Sequence, residues 1–417
     1  RYPVLSFGYI AAIFEQAGWD VCYGEDEAVA EGADLALVYT SLIAHHSEVA
    51  LAQRIRARGG ITVGFVGPFA SVRPELFEAN GDFVVVGEPE HVVERIAAGE
   101  RFSGRVTSPP VERLDSLPFP SWQVFGPEQF RYRPYFPTGN AFFPVLSSRG
   151  CTLSCAYYCP YTAVTGRKWR KRSPENVIAE LRQLVQDYGA RRVLFRDPLF
   201  TLDRSRALAI ADGMREAGLD IEWVCETHLD YLDEELIDRM RAAGLRSIKV
   251  GIESANAESL KHVKRHQPQD DRVRRLLAHC YRRGISVTAF YILGLPGDTV
   301  ESIDATVDYA ISLNTIGAQF TVATPYPGTG FFDEVERRGG LLTDDWERYD
   351  IYTPVMQHDH LSSDEILRAK SRAYQRYYLR TAWAGKFLGY WWWRARGTQQ
   401  ATAASPLAAT PVPVVMA

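Results

Sequence analysis

Short apolar runs alternate with amphipathic stretches along most of this chain. Gly8-Tyr9-Ile10-Ala11-Ala12-Ile13-Phe14 opens a helix that ends near Gly18, and Asp20-Val21-Cys22-Tyr23 reads as a strand after it. Apolar strand-like runs follow at 34–39, 62–67 and 82–87, with a helix over about 46–58. Continuous apolar strands separated by helices mark a parallel sheet covered on both faces. Residues 1–98 therefore read as a Rossmann-like α/β domain, whose ligand would sit beyond the carboxyl ends of its strands. Those ends carry Tyr39-Thr40-Ser41, Gly67-Pro68 and Gly87-Glu88. Residues 99–140 are punctuated by proline and poor in periodicity, which predicts a linker whose aromatics pack onto something. From 141 to 330 a strand-then-helix beat repeats, with strands at 141–148, 191–197, 221–226, 246–252, 286–293 and 317–324. Helices are expected near 174–188, 203–217, 233–243, 270–283 and 299–313, with another after Gly328. Six βα units fall short of the eight that close a full barrel, so a partial (β/α)6 barrel is expected. Residues 331–395 read as a helical C-terminal region, and 396–417, rich in Ala, Pro and Thr, as a disordered tail.

Composition narrows the class. The chain has 417 residues, 46% hydrophobic and 24% charged, which is the mixture of a multi-domain globular protein. A formal charge of −4 gives no basic excess to propose nucleic acid as partner. No run of roughly 18 apolar residues is present, so no integral membrane span is expected. The sequence opens at Arg1 as though already inside a fold, so missing N-terminal sequence is expected. Six cysteines are too few for a disulfide framework in a chain this long, which points to a reducing, cytoplasmic setting.

Three of those cysteines, Cys151, Cys155 and Cys159, crowd the segment Arg149-Gly150-Cys151-Thr152-Leu153-Ser154-Cys155-Ala156-Tyr157-Tyr158-Cys159-Pro160-Tyr161, directly after the first barrel strand. In one continuous helix Cys151 and Cys159 would stand about 12 Å apart along the axis. The segment must instead wrap as a loop, as Gly150 and Pro160 permit. Three thiolates on one loop can hold three irons of a [4Fe–4S] cube and leave the fourth open for a small chelating ligand. Structural zinc or plain buried thiols are the alternatives, although zinc usually takes four ligands.

This segment resembles the cluster loop of radical S-adenosylmethionine (SAM) enzymes, and the domain before it resembles a cobalamin-binding domain. The resemblance runs over about 1–390. It includes Gly87-Glu88-Pro89-Glu90, Leu117-Pro118-Phe119-Pro120-Ser121-Trp122, Val250-Gly251-Ile252-Glu253-Ser254, Gly294-Leu295-Pro296-Gly297-Asp298-Thr299 and Pro325-Tyr326-Pro327-Gly328-Thr329. The family spacing is Cys-x3-Cys-x2-Cys, whereas this chain has Cys-x3-Cys-x3-Cys, with Tyr157 and Tyr158 where one aromatic is expected. The resemblance implies a [4Fe–4S] cluster on Cys151, Cys155 and Cys159. It implies SAM near Tyr158, Asp197, Glu226, Glu253, Ser254 and Gly294, and cobalamin over Tyr39, Thr40, Ser41, Gly67, Pro68, Gly87 and Glu88. Asp197 and Glu226 could equally pair with an arginine such as Arg196, and the role of His228 stays open. The Asp-x-His-x-x-Gly motif that supplies a cobalt-ligating histidine is absent.

The activity so implied is methylation of an unactivated carbon of a small molecule, secondary-metabolite or lipid-like, through a 5′-deoxyadenosyl radical, with a flavodoxin- or ferredoxin-type electron donor. A radical cyclisation, oxidation or rearrangement stays open, as does a non-catalytic iron–sulfur or corrinoid sensor. Three minor features complete the reading. The aromatic stretch from Trp383 to Arg394 is read as packing on the domain rather than touching a membrane. The basic run from Arg167 to Arg172 is read as a solvated face, and His45-His46 as a polar pair at a helix start.

Overall fold

The computed structural model describes residues 4–126, 142–266 and 268–397. Residues 127–140 of the expected linker, position 141 of the expected first barrel strand and 398–417 of the expected tail lie outside the described residues.

The chain opens with α1 (Leu5–Gln16), buried along Phe7–Phe14. A helix apolar on nearly every side belongs between layers rather than on a surface. There follow β1 (Leu35–Tyr39), α2 (His45–Ala57), β2 (Thr62–Val66), α3 (Pro68–Val72), β3 (Phe83–Gly87), α4 (Glu90–Ala97) and β4 (Gly104–Ser108). The strands form one parallel sheet in the order β1-β2-β3-β4. Two expectations are corrected here. The segment 20–23 joins no strand of this sheet, although Val21 and Cys22 are buried. Conversely β4, which lies inside the expected linker, pairs with β3 from Phe83↔Gly104 to Gly87↔Ser108. An edge strand that buries only Ser108 well carries too weak an apolar pattern to read as a strand.

The second sheet begins with β5 (Phe142–Val145), then the short ribbon strand β6 (Ser148–Arg149), α5 (Tyr161–Thr165) and the partner ribbon strand β7 (Arg170–Lys171). Next come α6 (Pro174–Tyr188), β8 (Arg192–Phe195), α7 (Arg204–Glu216), β9 (Glu222–Thr227), α8 (Glu234–Ala242) and β10 (Leu245–Glu253). The rest is α9 (Ala257–His262), α10 (Asp270–Arg282), β11 (Ser286–Leu293), α11 (Val300–Leu313), β12 (Gly317–Val322), α12 (Gly330–Arg337), α13 (Ser363–Tyr378) and α14 (Thr381–Gly397). Six strands pair in parallel in sequence order, β5-β8-β9-β10-β11-β12. On β10 the alternation divides two faces: Ile248, Val250 and Ile252 join the main core, while Lys249, Gly251 and Glu253 fall on the opposite face.

One core spans both sheets. Phe7, Ile10 and Phe14 of α1 share a cluster with Trp122, Phe143 and the helices behind the second sheet. The Trp122 and Phe143 ring centroids are 5.8 Å apart. α13 covers the edge strand β12 through its tyrosines. Tyr378 Oη accepts from Ala318 N (2.8 Å) and donates to Ala318 O (2.7 Å), and Tyr374 Oη does the same at Phe320 (3.2 Å each). These hydroxyls satisfy backbone groups that an exposed edge would leave open. In α14, Trp391 packs on Phe142, Leu194 and Val224, and Trp383 Nε1 donates to Ile316 O (3.0 Å), so this aromatic stretch packs on the protein. No described helix is long and apolar enough to cross a membrane.

Candidate active site

The cysteine loop leaves β5 and is pinched shut by the antiparallel β6–β7 ribbon, with Arg149 opposite Arg170. Gly150 then takes φ +83°, and a Cβ on it would lie 2.1 Å from Lys168 O. Glycine is what lets the returning backbone approach this closely. A 3₁₀ turn over Ser154–Tyr157 follows, in which Tyr158 N and Cys159 N both donate to Cys155 O (3.0 and 2.9 Å). Of the residues that separate Cys155 from Cys159, Ala156 and Tyr157 lie in this turn and Tyr158 caps it. Cys151 and Cys155 are buried, Cys159 is half-buried and all three are free thiols. Burial pushes the Cys155 and Cys159 thiols up, Cys159 to about 11. Thiols of this kind give up their protons on binding a metal.

Beside the loop, Arg265 joins three groups. Its Nη1 is 3.6 Å from Cys155 Sγ, and its Nη2 is 2.7 Å from Gly251 O and 3.4 Å from Glu253 Oε1. A Cβ at Gly251 would meet Glu253 Oε1 at 2.1 Å, so the missing side chain makes room for this ion pair. Glu253 holds φ +68°, next to a register shift between β10 and β11. Such a conformation in a non-glycine residue costs about 1–3 kcal/mol and collects at functional sites. Burial raises the Glu253 carboxyl, opposed by Arg265 and by a hydrogen bond from Tyr158. Of the adjacent tyrosines, Tyr158 meets Glu253, while Tyr157 turns away and hydrogen-bonds Glu334 of α12.

The other expected SAM contacts divide. Glu226 Oε1 lies on the same face of the sheet, 3.3 Å from Arg196 Nη1 and 3.2 Å from Lys249 Nζ. Asp197 is fully buried and accepts from Ser147 N (3.0 Å), Ser147 Oγ (2.8 Å) and Ser148 Oγ (2.5 Å). It anchors the entry to the cysteine loop and presents no surface to a nucleotide. Ser254 is also fully buried, with Oγ 3.1 Å from Thr306 Oγ1 and accepting from Asn256 N (3.0 Å). Gly294 takes φ +80°, but the space above it is occupied: a Cβ would meet His358 Cε1 at 2.9 Å and Ile366 Cδ1 at 3.2 Å. Its N–H is held by Asp298 Oδ2 (3.1 Å). Burial drives His358 down to about 4, and its Nε2 is buried without a hydrogen-bond partner.

At the first sheet, the strand ends are partly consumed by the protein itself. Thr40 is fully buried, donating to Val66 O (3.1 Å) and accepting from Ala70 N (2.8 Å). Gly67 and Gly87 are forced by neighbouring backbone, since a Cβ would lie 2.9 Å from Thr40 N and 2.3 Å from Ser108 O. Glu88 faces inward and binds Arg149 Nη1 (3.0 Å), Arg170 Nη2 (2.5 Å) and Val111 N (2.8 Å). Glu88 is therefore a strut to the cysteine loop rather than part of an open ligand surface. The run from Arg167 to Arg172 is likewise no simple solvated face, because Arg170 and Arg172 are buried against Glu88 and Glu180. What stays accessible is Tyr39, Ser41, Gly67, Pro68 and Gly87, a rim with few bulky side chains.

Comparison with known proteins meets this geometry. The radical SAM superfamily profile matches residues 145–310. An uncharacterized methyltransferase of Pyrococcus horikoshii is 31% identical over 338 residues, covering 75% of this chain and 72% of its own length. The chain belongs to the radical SAM superfamily. The cytidylyl-2-hydroxyethylphosphonate methyltransferase of Streptomyces wedmorensis is 30% identical over 236 residues, 54% of this chain and 44% of that protein. Among solved structures, the radical SAM methyltransferase TsrM of Kitasatospora setae, with cobalamin and a [4Fe–4S] cluster bound, superimposes with TM-score 0.68 at 18% identity. It covers 82% of this chain and 77% of its own. The cobalamin-dependent SAM radical enzyme OxsB superimposes with TM-score 0.68 at 14% identity, over 95% and 69%. Both share mixed α/β architecture with parallel sheets. Within the radical SAM segment of this enzyme, Cys151, Cys155 and Cys159 are accompanied by residues that spacing had not indicated: Arg265, Lys249 and, from beyond the segment, His358. Arg265 follows α9, and nothing in its immediate sequence marks it apart from any other arginine.

Proposed function

We propose that this chain is a cobalamin-dependent radical SAM methyltransferase acting on a carbon of a small molecule. The observation that carries the reading is the set of three free cysteines on one glycine-hinged loop, with the Arg265–Glu253 pair beside them. The donor chemistry fits a [4Fe–4S] cluster on Cys151, Cys155 and Cys159. The open rim Tyr39, Ser41, Gly67, Pro68 and Gly87 fits a flat corrinoid, with Thr40 behind it. When bound, these groups supply the electron that cleaves SAM and the methyl group that is transferred. We read the first sheet as the corrinoid domain and the second as a partial barrel.

The chain's own residues do the positioning. Arg265 offers a cation beside the cysteine loop to the SAM carboxylate, and Glu253 an anion to its amino group or ribose hydroxyls. Tyr158 packs beside both and holds the Glu253 carboxylate. Arg196 and Lys249 orient Glu226 on the same face. His358 and Ile366 close the space over Gly294 and exclude water. Reduction would come from a flavodoxin- or ferredoxin-type donor.

Anaerobic iron–sulfide reconstitution with cobalamin, followed by mass spectrometry of SAM-derived products, tests the reading. Protein as prepared should bind about four irons and release 5′-deoxyadenosine when reduced. The Cys151→Ala, Cys155→Ala and Cys159→Ala variants should do neither. Colourless wild-type protein, or a cysteine variant with full SAM cleavage, would overturn it. Methylated product with S-adenosylhomocysteine separates methyl transfer from a radical cyclisation.

A further inference from the structure

We propose that His45, His46 and Glu347 form a second metal site, for a divalent transition ion of the zinc class, at the seam between the first sheet and the C-terminal region. One donor atom from each of these residues lies within 4.8 Å of the others. His45 and His46 begin α2, just beyond the β1 end, whereas Glu347 comes from a 3₁₀ turn over Trp346–Arg348. Folding, not sequence proximity, brings the third donor to the pair.

The scaffold around the donors is built. The His45 ring is buried, and its Nδ1 lies 3.2 Å from Leu42 O. With Nδ1–H donating to that carbonyl, Nε2 keeps its lone pair, the arrangement by which backbone carbonyls orient ligating histidines. The His45 and His46 ring centroids are 3.9 Å apart. Both sides of the seam rest on one side chain: Phe69 is 5.3 Å from the His45 ring and 6.0 Å from the Trp346 ring. Trp346 is buried in the same cluster, and Arg73 covers its ring at 4.7 Å. Asp345 caps the turn by accepting from Glu347 N (3.1 Å), which fixes the backbone that carries the carboxylate. Each donor thus arrives on an element already held by packing.

The donor chemistry selects the ion. Two neutral imidazoles and one carboxylate suit zinc, cobalt or nickel, while magnesium and calcium demand more oxygen ligands. Three protein ligands leave one coordination position for water. Ligation would tie α2 to a turn from the far end of the chain.

The test uses tag-free, cluster-loaded protein, in which the three loop cysteines are occupied by iron. Equilibrium dialysis against Zn2+ should show one equivalent of zinc beyond the iron, and Co2+ should give a visible spectrum of a low-coordinate site. His46→Ala and Glu347→Gln should each weaken zinc binding by about tenfold or more at unchanged iron content. His46 is exposed and Glu347→Gln keeps the side-chain shape, so both should fold. Zinc should raise the unfolding temperature of wild type more than that of Glu347→Gln at the same concentration. Wild type that takes up no zinc beyond its iron, or variants that bind zinc as tightly as wild type, would overturn the proposal.

Discussion

Arg265 concentrates several roles in one side chain, touching Cys155 of the cysteine loop, the strained Glu253 and the backbone of Gly251. Replacing it by methionine removes the cation from all three contacts. Arg265→Met is expected to keep its iron but lower 5′-deoxyadenosine formation by about tenfold or more, with Arg265→Lys recovering part of the loss. Iron analysis and product quantification together check this. His358 supports a pH prediction. Its folded value of about 4 lies below the ordinary 6.5, so the folded state favours the neutral ring. The unfolded chain takes up the proton first on acidification, and stability should fall as pH drops from about 6.5 toward about 4, by up to about 3 kcal/mol. His228, also pushed down to about 4 by burial and by Arg265, adds in the same direction. Urea unfolding of His358→Gln should show a shallower loss between neutral and acid pH than wild type. Neither Arg265 nor His358 was legible beforehand. The Gly-Ile-Glu-Ser motif marked Glu253, but no local pattern says which distant arginine or histidine will fold against a motif.

At the scale of elements, the strong periodicities translated well. The expected helix 174–188 is Pro174–Tyr188, and the expected strand 286–293 is Ser286–Leu293, because buried parallel strands and amphipathic helices write their period into the chain. The exceptions have physical reasons. The first barrel strand, expected over 141–148, stops at Val145, where Asp197 takes up Ser147 and redirects the chain into the β6–β7 ribbon. β4 escaped notice because an edge strand needs little apolar surface. Gly150 supports a test of the ribbon. Gly150→Ala, with a Cβ driven into Lys168 O, should lose iron incorporation although every cysteine remains. Retained iron in that variant would show that the loop tolerates opening. At the outer edge, Tyr378→Phe leaves Ala318 N–H and C=O without their hydroxyl partner, an expected loss of about 1–3 kcal/mol in urea unfolding.

At the scale of the whole molecule, the first sheet and the cysteine loop are joined by charge buried at their junction. Glu88 holds both Arg149 and Arg170, and Arg149 also reaches Glu90 Oε1 at 2.7 Å; all four residues are buried. Glu88→Ala would leave two guanidinium groups sealed away from water with one carboxylate between them, costing about 3–5 kcal/mol by analogy with broken buried pairs. Denaturant unfolding checks that figure, and iron content reports whether the loop survives. From sequence alone Glu88 looked like a ligand-facing strand end and Arg170 like a wetted surface residue. Both readings treated the two sheets as separate, whereas their contact decides which polar groups are inward. The same junction sets a limit on dissection. A fragment beginning at β5 would carry Arg149 and Arg170 to a newly exposed face, stripped of Glu88 and Glu90, and the hairpin that begins the cysteine loop would lose its counterweight. Excising the catalytic half to simplify the protein would, on this reasoning, yield a piece unable to assemble its inorganic centre.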